Sequence, residues 1–472
     1  MKSSNFKLPK NVFLLGYGAI GKCFAEILLK DFKNINLTVL DMIDINPEEN
    51  RFRYIRQQVN KGNIKEISDQ LESGDILIDL STNIDLMEVW AMCAEKGVMY
   101  LNTAMEEWED SLNPNSFPET EEEMFKTSLG YRHEQAEGMK FWDDKKGVTT
   151  VFEHGMNPGL ISHFAKNGLI DAAEYFLSRR DWLDIDHQKI EKYLSEKNYP
   201  KLAQAMGLHT IHCSEHDNQF VTNPPKDLKS KFYNTWSCRG FLTEGMVPFQ
   251  VAQGSHEDTD SQEFPRLNNN SVIMSKFPSN HYWAKSWVPF HDIEGCLIPH
   301  GEAYTIRKFF SDEETGYAPS QYYVYDFNPY AKEYINNLPK TANLQNTNPE
   351  WEVLHPMNYE LQGHDKVGAL LIFHNNRGWW SGTIMDEHDA AEHFQHKFGP
   401  TVLQVAGGVY SAFLWILENP QAGNKWAEQL DSDFILEHAK PYLGRIWSDF
   451  IDLSTTHIKN CYKFESFLSR RY

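Results

Sequence analysis

The sequence predicts an α/β protein in which an N-terminal doubly wound parallel sheet is followed by a second α+β domain with a mostly antiparallel sheet. Three observations predict it. Residues 11–41 read as strand, glycine turn, helix and strand in immediate succession. Apolar runs then alternate with helical stretches up to about residue 155. Beyond about residue 165 the runs become aromatic-rich, are broken by loops and rarely have helical crossovers between them. A chain of 472 residues is too long for one simple core, so two domains are the natural division.

The first strand is NVFLL (11–15), ending on the turn GYGAIG (16–21). The helix that follows carries Phe24, Ile27, Leu28 and Phe32 at helical spacing, and NLTVL is the next strand, closing on Asp41. DILIDLS (75–81), GVMYLNTA (97–104) and GVTTVFEHG (147–155) read as further buried parallel strands. NPGLISHFAKNGLI then opens a helix, with Asn157 expected as N-cap and Pro158 in its first turn. The acidic excursion within 105–146 reads as a solvated loop-and-helix segment. In the second domain the strand-like stretches are 209–217, 232–245, 295–310, 321–327 and 367–373, while 264–280 and 338–353 read as loops. From Pro400 the chain reads as helix, with amphipathic helix to the end. The expected division is 1–155, completed by the helix near 400–418, then 156–398, then a helical segment 399–472.

Composition bounds the function. An apolar content of 41% suffices for packed cores, and a mean hydropathy of −0.54 with no run of about 18 apolar residues argues against a membrane span. The start of the chain moves directly into a strand with no cleavage pattern of a secretion signal. Six cysteines lie scattered without a CxxC pair, which fits a reducing cytoplasm. A net charge of −21 excludes a phosphate-backbone binder, so no nucleic-acid partner is expected, and it suits a cationic ligand. His209 with His212, or His393 with His396, sit at spacings that would share a helix face. No HExxH accompanies them, so no metal is expected.

The glycines of the turn have separate tasks. Gly16 permits the tight turn, Gly18 lets backbone approach a pyrophosphate, and Gly21 lets helix and strand pack closely, with Ala19 and Ile20 opening the helix that receives the phosphates. Asp41, twenty residues beyond Gly21, is placed to accept hydrogen bonds from ribose hydroxyls and disfavours a 2′-phosphate. The unit is therefore a Rossmann dinucleotide site, and the expected cofactor is NAD. Leu80, Ser81, Asn102, Thr103 and Ala104 lie at the carboxyl ends of later strands, the edge where such sheets bind ligands.

A second cluster is dispersed along the chain. Glu106, Glu215 (with Asp217 close by), Glu244, His300 and Asp365 fall at or just beyond strand ends, and Trp236 lies eight residues before Glu244. Carboxylates with an aromatic face suit a diammonium ion, because acids pair with ammonium heads and an indole face attracts a cation.

Seven segments carry a resemblance: GYGAIG, NTAMEEW (102–108), EHGMNPGL (153–160), HCSEHD (212–217), TWSCRGFLTEG (235–245), IPHGEAYT (298–305) and GHDKVG (363–368). In order and spread they resemble bacterial homospermidine synthases, relatives of saccharopine dehydrogenase. The resemblance implies a Rossmann domain joined to a substrate domain. It implies a reaction in which NAD takes hydride from putrescine, or from spermidine, and returns it after ammonia is exchanged for a second amine. It further implies a homodimer, with Trp236 as cation–π partner, Glu244 and Glu215 or Asp217 as amine anchors, and Glu106, Asn157, His300 and Asp365 lining the pocket. A saccharopine-type amine or amino-acid dehydrogenase is the alternative; it would need arginines, and Arg239 is the one basic residue between Trp236 and Glu244. A non-catalytic NAD-binding sensor is a third reading.

Overall fold

The computed structural model describes residues 6–44, 51–108, 120–267, 272–339, 342, 347 and 349–471. Its N-terminal sheet contains β1 (Val12–Leu15), β2 (Leu37–Asp41), β3 (Arg53–Arg56), β4 (Ile76–Asp79), β5 (Met99–Asn102) and β6 (Gly147–Val151). A seventh strand, Ala422–Lys425, joins from the far end of the chain. The order is 422–425, β6, β5, β4, β1, β2, β3, and every neighbouring pair is parallel. The order reverses direction at β1, so the carboxyl ends of β1 and β4 flank the crevice where such sheets bind ligands. Helix α1 (Ala19–Asp31) buries Phe24, Ile27 and Leu28, as their spacing requires.

The second sheet runs 266–267, 272–278, 248–252, 320–326, β7 (Leu208–Asp217), 364–373, 377–386 and 445–452, with the hairpin 282–288/291–298 attached at 320–326 and Leu468–Arg471 beside it. Only the pair β7 and 320–326 is parallel among its described pairings. Helix Leu160–Ser178 lies across this sheet, and helix Pro400–Glu418 packs on α1 through Phe413 against Phe24 and Phe32 at 6.0 and 6.3 Å between ring centres. By length and composition Pro400–Glu418 would cross a membrane, yet nearly all of it is buried inside the fold. One apolar core runs continuously from Val12 and Phe24 through Leu160, Phe413 and Leu371, so the two sheets share their packing.

Several elements differ from the reading of the sequence. The segment 399–472 is not helical throughout: after helix 400–418 it adds 422–425 to the first sheet and 445–452 and 468–471 to the second, with Arg445–Asp452 pairing residue by residue with 377–386. Within 232–245 only Lys231–Asn234 is a strand; Ser237 caps the amide of Gly240 and starts helix Cys238–Gly245. Within 295–310 the strand ends at Ile298. Glu302 then opens helix Glu302–Phe309, with Arg307 and Lys308 in its last turn, charges that suit the two ends of the helix dipole. The stretch 264–280, read as loop, contains strand Val272–Pro278 paired with 248–252. Glu350–Val353, also read as loop, pairs with 231–234. In the acidic excursion, 121–126 and 129–137 are helical, and residues 109–119 lie outside the described residues. His209 and His212 lie on β7, not on a helix, and His393 precedes and His396 ends a short 3-10 turn. No group of three metal-ligating side chains occurs among the described residues.

Candidate active site

The glycine turn is built as its residues demand. Gly16 has φ +89°, a left-handed conformation open to glycine, and a side chain there would strike the carbonyl of Leu80. A Cβ on Gly21 would lie 2.1 Å from the Gly16 carbonyl oxygen, so helix and turn touch through bare backbone. Gly18 is the opposite case: nothing lies within 4 Å of where its Cβ would be. It precedes α1 with no side-chain cap, so the first amides of the helix, those of Ala19 and Ile20 among them, face open space suited to phosphate. Asp41, at the end of β2, accepts hydrogen bonds from the amides of Tyr17 (2.5 Å) and Ile43 (3.0 Å), which fixes its carboxylate beside the turn. At the end of β4, Ser81 bonds Asp79 through both its hydroxyl and its amide, and burial raises the pKa of Asp79 to about 6. Asn102 faces inward: its side chain accepts from the amide of Glu153 and donates to the carbonyl of Ala104, so it shapes the adjoining turn rather than offering polar atoms outward. Thr103 and Ala104 continue from it, half-buried.

Three of the dispersed acids, Glu215, Asp217 and Asp365, converge on one face of the second sheet. Side chains alternate along a strand, so Glu215 and Asp217 share a face of β7; register then sets Tyr325 beside Glu215 and Asp365 beside Asp217. Glu215 accepts from Tyr323 Oη at 2.6 Å and from Asn157 Nδ2 at 2.8 Å. Asn157 is therefore a carboxylate partner and not the expected helix cap; helix 160–178 begins after Gly159, whose φ of +126° turns the chain. Asp217 accepts from Thr235 Oγ1 at 2.6 Å and from the amide and side chain of Gln219, both at 2.9 Å. Thr401 Oγ1 donates to Asp365 at 2.5 Å, while the other oxygen of Asp365 has no partner among the described residues. Trp236 donates from Nε1 to Tyr325 Oη at 3.0 Å, which holds its indole beside the acids.

Burial dominates the electrostatics. It lifts the Glu215 carboxyl to about 7, with the Tyr323 and Asn157 hydrogen bonds opposing and the charge of Asp217 assisting. Asp217 and Asp365 are raised by the same burial, and Asp365 also by its two acidic neighbours. Glu106 is raised to about 7 by burial; the amide of Asn83 donates to it at 3.0 Å and opposes the shift, and Glu244 adds to it. The charge of Arg239, on the exposed side of helix 238–245, opposes it weakly. His300 spans Glu244 and Glu302, with Nε2 3.3 Å from the first and Nδ1 3.2 Å from the second. Burial alone would discharge this imidazole, but the two carboxylates outweigh it and hold its pKa well above the ordinary range. Its ring lies against Tyr323, 4.6 Å between centres, which ties it to the face carrying Glu215.

Burial thus favours the protonated form of Glu215, Asp217, Asp365 and Glu106. Tyr323, Tyr325, Thr235, Gln219, Thr401 and Glu302 were not legible as site residues; only the alternation in QYYVYD, which sends two tyrosines to one face, hinted at any of them.

Comparison with known proteins places this geometry. The family model described as saccharopine dehydrogenase NADP binding domain matches residues 12–149, and the saccharopine dehydrogenase C-terminal domain matches 155–446. The chain belongs to the saccharopine dehydrogenase family. Within it, the chain is 26% identical to the homospermidine synthase of Mesorhizobium japonicum over 93% of this chain and 90% of that one. It is 25% identical to the homospermidine synthase of Blastochloris viridis, over 93% and 91%. The crystal structure of the Legionella pneumophila homospermidine synthase in complex with NAD is similar in fold, with a TM-score of 0.80 at 24% identity and 98% of both chains covered. This member of the family thus pairs a dinucleotide domain with a pocket led by acids.

Proposed function

We propose that this chain is a homospermidine synthase, transferring the aminobutyl group of one putrescine, or of spermidine, to a second putrescine with release of ammonia. The observation that carries the reading is the face on which Glu215, Asp217 and Asp365 lie together beside the Trp236 indole. It is a surface for an extended ion with an ammonium at each end. A dehydrogenase acting on carboxylated amines would want arginines there, and Arg239 lies exposed on the neighbouring helix. Full-length relatives of the same name support the reading.

The turn at Gly16–Gly21 fits a dinucleotide, because Gly18 leaves backbone open and the helix amides are uncapped. Asp41 favours NAD over NADP by presenting a carboxylate where the ribose hydroxyls would lie. When bound, NAD supplies a hydride acceptor and later donor. The residues do the rest. Glu215, Asp217 and Asp365 hold the far ammonium, Trp236 covers the chain and its cationic intermediate, and Glu244, steadied by the His300 imidazolium, removes a proton from the reacting amine. The homodimer and the absence of nucleic-acid and membrane partners rest on the resemblance and on the charge of −21. Cytoplasmic residence is supported by six buried cysteines, none in a disulfide.

The test is incubation with putrescine and a catalytic amount of NAD, followed by mass spectrometry and an ammonia assay. Homospermidine with no net NADH is expected. Steady NADH accumulation without homospermidine would move the reading to a simple amine dehydrogenase.

A further inference from the structure

The acids of the second sheet are gripped from the dinucleotide side. Asn157 donates to Glu215 and Thr401 to Asp365, and neither donor belongs to the sheet that carries the acids. Thr401 stands in the first turn of helix Pro400–Glu418, which is fastened to the first domain along its length. A Cβ on Gly408 would lie 2.0 Å from the carbonyl oxygen of Gly155, so helix and turn meet through bare backbone. His154 Nδ1 donates to the Gly408 carbonyl at 3.1 Å. Tyr410 Oη donates at 2.6 Å to Asp31, the last residue of α1, and Phe413 packs on Phe24 and Phe32. Beyond the helix the chain enters strand 422–425 of the first sheet. Gly155 lies just before Asn157 in the chain, so both donors come from one packed unit.

The hydrogen bonds at Thr401 run in one direction. Gln219, 1% exposed, uses both amide hydrogens: Nε2 lies 2.9 Å from Asp217 Oδ1 and 2.9 Å from Thr401 Oγ1. Thr401 Oγ1 therefore accepts from Gln219, and its own hydrogen goes to Asp365 Oδ2. A β-branched side chain has few χ1 choices, so the helix dictates where this hydroxyl points. Asp365, 1% exposed, is left with Oδ1 buried and without a partner among the described residues. A buried carboxylate oxygen that no protein donor reaches calls for a donor from elsewhere, and an ammonium head supplies one. We propose that Thr401 sets the length of diamine the site accepts: it turns Asp365 so that Oδ1 is the stop for the far ammonium, at a separation from the dinucleotide fixed by helix 400–418.

The length rule rests on the homospermidine synthase reading, in which the carbon that gives up hydride lies at one end of putrescine and the far ammonium at the other. One helix ties Asp365 to the domain that holds the dinucleotide. A diamine one methylene longer or shorter then cannot reach both ends without strain, and a misfit of that size changes kcat/KM by about ten-fold or more. Thr401 touches Asp365 and not the substrate, so it is a positioning residue. Its hydrogen bond favours the ionised carboxylate, against burial and against the charges of Glu215 and Asp217, the acids that face Asp365. Loss of the hydroxyl leaves Asp365 free to turn and makes it hold its proton more firmly.

The experiment uses the full chain with NAD and compares T401V, T401S, D365N and the double variant D365N/T401V on putrescine, 1,3-diaminopropane and 1,5-diaminopentane. T401V should raise KM for putrescine at least about ten-fold, the range for a hydrogen bond to a buried charge, with NADH affinity unchanged. Its preference for putrescine over either neighbour, read as a ratio of kcat/KM values, should fall about three-fold or more. T401S, which keeps the hydroxyl, should recover most of both. The double variant should bind putrescine no worse than D365N alone, since Thr401 acts through Asp365. A T401V chain with the wild-type preference, or losses that multiply in the double variant, would overturn the proposal. A second readout needs no turnover: in carbon NMR of the aspartate carboxyls, assigned with D365N, Asp365 should titrate at higher pH in T401V than in the wild type. An Asp365 titration indifferent to T401V would sink the proposal even if the wild type makes homospermidine. An absence of homospermidine from the wild type, with Asp365 still sensing Thr401, would instead sink the function on which the length rule rests.

Discussion

The two binding regions solve opposite problems with opposite materials. The dinucleotide turn receives an anion, and it does so with bare main chain: Gly16, Gly18 and Gly21 clear the space, and unpaired amides at the start of α1 supply the charge complement. The pocket proposed to take a cation relies on side chains instead: Glu215, Asp217 and Asp365 on the second sheet, with Glu106 and Glu244 from neighbouring elements. A main-chain site depends on shape and is nearly indifferent to pH. A side-chain site made of buried acids is a reservoir of protons, and its affinity must follow their release.

Gly21→Ala should show the greatest effect. A methyl group 2.1 Å from a backbone carbonyl has no room to yield, so dinucleotide binding is expected to vanish and stability to fall by about 3 kcal/mol. Energy transfer from tryptophan to bound NADH, together with denaturant melts, measures both; retained NADH affinity would break the shape half of the contrast. The charge half is read from pH. The folded chain keeps the Glu215 proton up to about pH 7, whereas the unfolded chain gives it up near the ordinary glutamate value of 4.5. Stability from this group is full below about pH 4.5 and lost progressively as pH rises through 7, at most about 3 kcal/mol. Putrescine, which needs the ionised acid, should bind more tightly over the same rise, while NADH affinity changes less than two-fold. Calorimetry in buffers of different ionisation enthalpy would reveal the proton released, and equal pH trends for both ligands would contradict the division.

Trp236→Ala should cut turnover between about two-fold and thirty-fold, the range of a cation over an indole face, and leave NADH affinity unchanged. Wild-type turnover would remove the indole from the site. Gly18→Ala should be the mildest for the fold: with nothing within 4 Å the melting point stays put, and the loss appears in dinucleotide affinity alone. A lowered melting point with full affinity would show that the open space at Gly18 is not where phosphate sits.

The same contrast decides how much the amino-acid sequence alone discloses. The phosphate turn and ribose acid of the dinucleotide site lie within Gly16–Asp41, where each residue's task follows from neighbours in the chain, and that part is legible almost atom by atom, whereas Asn102 at a later strand end turns inward. The acidic pocket draws on residues from 106 to 401, so its members can be nominated as acids near strand ends but not paired. Asn157 shows the limit: beside a proline it reads as a helix cap, and only the approach of β7 makes it the partner of Glu215. Helix 238–245 hides behind aromatic residues of high strand propensity, although Ser237 is a visible cap. The strands at 422–425 and 445–452 have no local signature that outweighs the amphipathic run around them; they exist because sheet edges elsewhere accept them. Glu153 and Glu302 stand in conspicuous motifs, EHGMNPGL and IPHGEAYT, yet nothing in either motif says that the Glu153 carboxylate packs against Gly301, next to Glu302.

The strand at 422–425 has a further consequence for how the protein is made. During synthesis the first six strands of the N-terminal sheet emerge by residue 151, but the edge beside β6 and the helix that covers α1 are encoded only at 400–425. A nascent chain must therefore hold an open parallel sheet, with one flank uncovered, until residues 400–425 have left the ribosome. Any attempt to express the dinucleotide half by itself inherits that exposed flank, and joining residues 400–425 to it by a short linker is the rational remedy.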